Sequence, residues 1–150
     1  MTGDSADRLV NLGDDEALAL IATAAIGRIA YAADGEITVV PLNFCLIGRD
    51  VYVRTSATAS LLIAARRLSH AAFEADGVAE WSQTGWSALI RGALSEVTDV
   101  STVEAVSQHL SPWVGSGDVV VRLTAERMTA RSVVGGPGGV HVNAATPRRS

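Results

Sequence analysis

The sequence predicts a mostly β (α+β) domain with antiparallel strands, and three observations carry that prediction. Short runs rich in β-branched residues recur along the chain, turn signals separate them, and no strand–helix–strand alternation of the kind that builds parallel sheets is present. A chain of 150 residues with 48% hydrophobic and 19% charged residues is large and apolar enough to bury its own core as one domain.

The elements follow in order. Asp14 to Ala25 reads as a helix with Asp14 or Asp15 as N-cap. Its acidic start suits the positive end of the dipole, Leu18, Ile21, Ala22 and Ala25 give one apolar face, and Gly27 is the stop. Arg28 to Ala33 is a strand that runs into Asp34-Gly35, a hairpin signal. The run from Ile37 to Leu46 contains Pro41, which cannot donate to a ladder, so this strand is expected at a sheet edge or bulged at the proline. Gly48-Arg49-Asp50 then turns into a strand over Val51 to Thr55.

Between Ser56 and Arg67 the period changes. Leu61, Leu62, Ala65 and Leu68 have helical spacing, with hydroxyl residues at the start and arginines at the end, which predicts a short helix. Ala71 to Ala75 is a fourth strand, Gly77 to Thr84 a polar loop, and Gly85 to Val97 a long fifth strand. Ser101 to Leu110 reads as a helix with Ser101 as N-cap, Glu104 completing a capping box, and Pro112 as the stop. Val119 to Leu123, continuing toward Arg131 and Val133, is the last strand. Residues 135–150 open on Gly-Gly-Pro-Gly-Gly and are expected to form a flexible tail, leaving 1–134 as the domain. Six strands and three helices result, joined by hairpins, and closure into a barrel would remove exposed edges.

Charge and composition narrow the function. A net charge of −4 argues against a nucleic-acid partner, which requires a basic face. No apolar run approaches a membrane span, the acidic N-terminus is no signal peptide, and Cys45 is the only cysteine, so a cytoplasmic protein without disulfides or membrane contact is expected. Cys45 itself reads as a small buried apolar residue. His70, His109 and His141 stand at no metal-ligand spacing, and no Gly-rich dinucleotide or P-loop fingerprint appears.

Three segments offer chemistry. Arg54-Thr-Ser-Ala-Thr-Ala-Ser60 joins a strand to a helix, where free N–H groups, the hydroxyls of Thr55, Ser56, Thr58 and Ser60, and the permanent charge of Arg54 converge on anion binding. The plainer alternative is a helix cap. In Val39 to Phe44, Pro41 interrupts the ladder and Asn43 carries both a donor and an acceptor; the alternative is an edge strand with a solvent-facing Asn. Trp86 and Ser87 open the long strand, where an aromatic face suits a flat ring, the alternative being an ordinary core tryptophan.

Taken together and in this order, the segments resemble the flavin-binding split-barrel superfamily related to pyridoxamine 5′-phosphate oxidase, in its small actinobacterial and nitroimidazole-resistance-like branch. The similar stretches are Gly27-Arg-Ile-Ala-Tyr31, Val40-Pro-Leu-Asn-Phe44, Val53-Arg-Thr55, Ala72-Phe-Glu-Ala-Asp76, Gly85-Trp-Ser-Ala-Leu-Ile-Arg-Gly92 and Ser111-Pro-Trp113. The resemblance implies a six-stranded antiparallel Greek-key split β-barrel with flanking short helices. It also implies a homodimer and FMN in a groove at the subunit interface. Val40, Pro41, Leu42 and Asn43 would then lie along the isoalloxazine ring, and Arg54, Thr55, Thr58 and Ser60 would hold the phosphate. Trp86 and Ser87 would border the flavin from this subunit or its partner, and Trp113 would lie near the interface.

Relatives usually place a lysine where Ser60 stands, so the resemblance implies a phosphate site with one charge fewer. The leading expectation is an FMN-dependent oxidoreductase, or one using a deazaflavin, acting on a small molecule by hydride or electron transfer. Such cofactors carry the hard chemistry, which accounts for the lack of an evident acid–base pair or nucleophile. The alternatives are a non-catalytic protein that binds a flavin, deazaflavin or tetrapyrrole, and an interaction dimer with no cofactor bound. A true pyridoxamine phosphate oxidase is disfavoured by the short chain and the lack of a matching basic C-terminal segment beyond Arg148-Arg149.

Overall fold

The computed structural model describes residues 8–79, 84–111 and 119–134. These form β1 (Arg8–Leu12), α1 (Asp14–Ile21), β2 (Gly27–Ala33), β3 (Glu36–Leu42), β4 (Cys45–Ile47), β5 (Asp50–Thr55), α2 (Ser60–Arg66), β6 (His70–Ala79), β7 (Thr84–Val97), α3 (Val100–His109) and β8 (Val119–Val134). The strands make one sheet in the order β3-β2-β6-β7-β8-β5-β4, with β1 pairing β8 off that path. Every pairing is antiparallel. β6, β7 and β8 form a meander and β5 returns beside β8, which is a Greek key. The split-barrel fold with flanking short helices is therefore the architecture.

All six expected strands are present, and the count among the described residues rises to eight for two reasons. The run from Ile37 to Leu46 breaks at Asn43 and Phe44 into β3 and β4, and Arg8–Leu12 pairs with the far end of β8. β3 is the sheet edge that Pro41 demands. Asp34 and Gly35 carry φ of 51° and 77°, the backbone twist that a tight hairpin between right-twisted strands requires.

Four local expectations change. Helix α1 ends at Ile21 and is capped by Gly13, so Asp14 and Asp15 lie inside its first turn; Ala17 and Ile21 are its buried contacts, while Ala22 and Ala25 are exposed. Gly27 is no helix stop. It is the first residue of β2, and a side chain there would run into the Phe73 ring. The polar stretch after Asp76 stays in the ladder to Ala79, because Gly77 and Val78 pair with Trp86 and Gly85. Helix α3 is capped by Asp99 rather than Ser101. Pro112 and the 135–150 tail lie outside the described residues.

The interior collects Ile29, Val51, Phe73, Ile90, Leu94 and Leu123, all at 1% exposure or less, from strands across the sheet. Helix α2 closes one side through Leu61, Leu62, Ala64 and Ala65. Phe73 is the largest fully buried side chain, and its loss would cost about 3–5 kcal/mol through lost transfer energy and the cavity left behind. A smaller cluster of Tyr52, Val97, Val106, Leu110 and Val120 lies under α3.

Candidate functional site

An open groove of about 420 Å³ lies where β3 and β5, from opposite parts of the strand order, approach the start of α2. That volume falls within the range of small-molecule sites. Val40, Pro41 and Leu42 of β3 form one wall with Asn43 of the following link. Arg54 and Thr55 at the end of β5, then Ser56, form the other, and Ala59, Ser60 and Leu61 close one end. Local structure explains the placement. The Phe44 ring meets the Phe73 ring edge-on at 4.7 Å, which pins the β3–β4 link to the core beside Asn43. On β5, Val51, Tyr52 and Val53 are buried, so its last residues emerge at the groove rim.

The polar side chains of the groove are already organised. The Arg54 guanidinium donates to the Leu110 carbonyl at 2.7 Å, and the Asn43 amide donates to the Ser111 carbonyl at 2.9 Å. Two residues expected to face a ligand thus also hold consecutive main-chain carbonyls just beyond α3. A guanidinium bonded to a neutral carbonyl keeps its charge. The Ser60 hydroxyl lies 2.6 Å from the Tyr31 hydroxyl, and Tyr31 lines the groove as well.

Seven of the ten predicted positions meet here: Val40, Pro41, Leu42, Asn43, Arg54, Thr55 and Ser60. Thr58 is exposed beside the rim, its hydroxyl 3.4 Å from that of Ser56. Trp86 and Ser87 lie elsewhere on this chain. Trp86 packs partly against the core and lines a separate cleft with Thr23, Asp76 and Val78, whereas Ser87 faces solvent beside Glu74 and Arg131. Near them Arg28 bridges Glu74 at 2.8 Å and Asp76 at 3.3 Å. Burial pushes the Glu74 carboxyl above its ordinary range, and hydrogen bonding to Asp76 adds to this against the opposing pull of Arg28. Trp113 lies outside the described residues.

Helix α2 begins only at Ser60, and Ala59 holds the cap position without a side chain able to accept, so no cap side chain takes the first-turn N–H groups. Tyr31 was not among the expected residues. Its only sequence signal is an inward position in an alternating strand, which reads as core.

A split barrel with a hydroxyl-lined groove and one buried-edge arginine defines a class of proteins, and comparison with known proteins assigns it. The profile of the family described as pyridoxamine 5′-phosphate oxidase matches residues 13–132, and the chain belongs to that family. It is 33% identical over 135 residues to an uncharacterized protein of Mycobacterium tuberculosis, covering 87% of this chain and 89% of that one. Among solved structures it resembles a FAD-binding protein of Mycobacterium smegmatis, with a TM-score of 0.69 and 28% identity over 82% of this chain and 97% of the other. A FAD-binding protein of Mesorhizobium loti shares the fold, with a TM-score of 0.74 and 19% identity over 85% and 98% of the two chains. Among the described residues, no helix is long and apolar enough to cross a membrane, and no group of three or more His, Cys, Asp or Glu is placed to hold a metal ion.

Proposed function

We propose that the groove holds a flavin nucleotide and that the chain is a flavin-dependent oxidoreductase acting on a small molecule. The observation that carries this reading is the convergence on one groove of two segments with different chemistries. Val40 to Asn43 offer an edge strand and a flat, mostly apolar wall for a ring, while Arg54, Thr55 and Ser60 offer a charge and hydroxyls for a phosphate. These residues fit FMN. The neighbours described as FAD-binding make FAD the competing nucleotide, and a deazaflavin shares the same ring and phosphate requirements.

A bound flavin supplies hydride or electron transfer; the chain binds it, orients it and limits water at one face. Asn43 offers the groove an amide and Arg54 a positive charge. The active form is read as a homodimer. Ile37 and Val39 on edge strand β3 are 84% and 57% exposed, an apolar surface that a second copy would cover, and that copy would bring Trp86 and Ser87 to a groove they do not reach within one chain.

Titration of the purified chain with FMN and FAD, followed by flavin fluorescence, tests the reading. Saturable binding of either nucleotide supports it, and protein that binds neither removes it. A second reading, a flavin carrier without turnover, is favoured by one feature: among the described residues that line the groove, Arg54 and Tyr31 are the ionisable ones, and they make no carboxylate or imidazole acid–base pair. Assay of the flavin-loaded protein with reduced nicotinamide and with quinone or nitro acceptors separates the two.

A further inference from the structure

We propose that Tyr31 is a ligand-positioning residue whose hydroxyl, acting through Ser60, makes a neutral relay that holds a phosphate where relatives usually rely on a lysine. The inference deepens the reading of the groove as a flavin-nucleotide site and rests on it.

Three features of the pair support a relay. The hydroxyl oxygens lie 2.6 Å apart, at the short end for an O–H···O bond. Both residues line the groove. Both are also fixed: Tyr31 is 4% exposed with its ring in the main core, and Ser60 opens a helix whose next residues, Leu61 and Leu62, are buried.

The proton inventory then sets the direction. The pair holds two hydroxyl protons, and their mutual bond uses one. If Ser60 donates to Tyr31, the serine has no proton left for the groove. If Tyr31 donates to Ser60, the serine proton is presented outward. Phosphate oxygens only accept, so a phosphate selects the second arrangement. A phenol is a stronger acid than an aliphatic alcohol, and a hydroxyl that accepts one hydrogen bond donates the next more strongly. Ser60 becomes a polarised donor at the tip of a buried tyrosine, with Arg54 supplying the charge on the same groove. The relay serves the phosphate alone, so it distinguishes FMN from riboflavin, which has the same ring and no phosphate.

The test measures FMN and riboflavin affinities by flavin fluorescence for the wild type, Tyr31→Phe, Ser60→Ala, Ser60→Thr and the double variant Tyr31→Phe/Ser60→Ala, with thermal melts confirming that each is folded. Tyr31→Phe is expected to weaken FMN roughly three- to tenfold while leaving riboflavin unchanged, the scale of one neutral hydrogen bond. Ser60→Thr, which keeps the hydroxyl, should preserve the FMN-to-riboflavin ratio that Ser60→Ala loses. In the double variant Tyr31→Phe should add nothing to Ser60→Ala, because the tyrosine acts only through the serine. Losses that add, a Tyr31→Phe effect equal for both ligands, or no effect on FMN would overturn the relay and leave the flavin reading standing. A wild-type chain that binds no flavin would remove both.

Discussion

The junctions before α2 and before α3 are built from the same kinds of residue and use them in opposite ways. Before α3, Asp99 turns its carboxylate onto the helix start, where it accepts from the Thr102 N–H at 2.9 Å, the Thr102 hydroxyl at 2.6 Å and the Ser101 hydroxyl at 2.8 Å. The Ser101 and Thr102 hydroxyls are both consumed in capping the helix start. Before α2 the cap is an alanine, the Ser60 hydroxyl points to Tyr31, and Thr55 and Ser56 line the groove. One junction is a structural cap, and the other is, on the function proposed above, a binding corner. The same Ser/Thr-rich pattern serves either end, and what decides between them is whether an acceptor on the chain itself engages the hydroxyls.

The largest effect that separates the junctions should come from Arg54→Ala. Loss of a charge-assisted bond to phosphate is expected to weaken FMN by about ten- to a hundredfold in fluorescence titration. Arg54→Lys should recover part of the affinity, since the charge returns without the fork of donors. Next in size, Ser60→Lys should tighten FMN by about tenfold and steepen the salt dependence of binding, because it adds a charge that the serine lacks. Asp99→Ala should do the reverse of both: FMN affinity unchanged, and a lower melting temperature by calorimetry. An effect of Asp99→Ala on affinity would erase the distinction between the two junctions.

The smallest effect concerns pH. Hydrogen bonds from the Thr102 and Ser101 side chains, then the Thr102 N–H, hold the Asp99 carboxyl below its ordinary range. A folded-state pKa below the unfolded one gives a contribution that is complete above the unfolded value and is lost as pH falls through the folded one. Acid melts of the wild type should therefore steepen below the ordinary aspartate range, about 3.9. Asp99→Asn keeps an acceptor oxygen without the charge and should flatten that part of the profile.

Strands β6 and β7 were legible because alternation survives in them: Phe73, Ala75, Ala88 and Ile90 are buried while their sequence neighbours are not. β1 was not legible. Its partner residues on β8 lie far along the chain, and nothing within five residues of an acidic N-terminal stretch announces the pairing. Helix caps were misplaced by one or two residues, since Gly13 and Asp99 stand next to other plausible caps. Each groove segment was legible as chemistry, from Pro41 and Asn43 on one side and Arg54 with its hydroxyls on the other. That they meet is a property of the sheet order. The 29-residue separation between Tyr31 and Ser60 hid the pair entirely, because each residue alone has a sufficient local explanation.

A crystal structure of the chain grown with FMN decides whether this groove is the nucleotide site. The phosphate is expected within hydrogen-bond reach of Arg54 and Ser60, with the ring lying along Val40 to Asn43. Density that seats the phosphate away from Arg54, or a nucleotide bound outside this groove, would contradict that assignment.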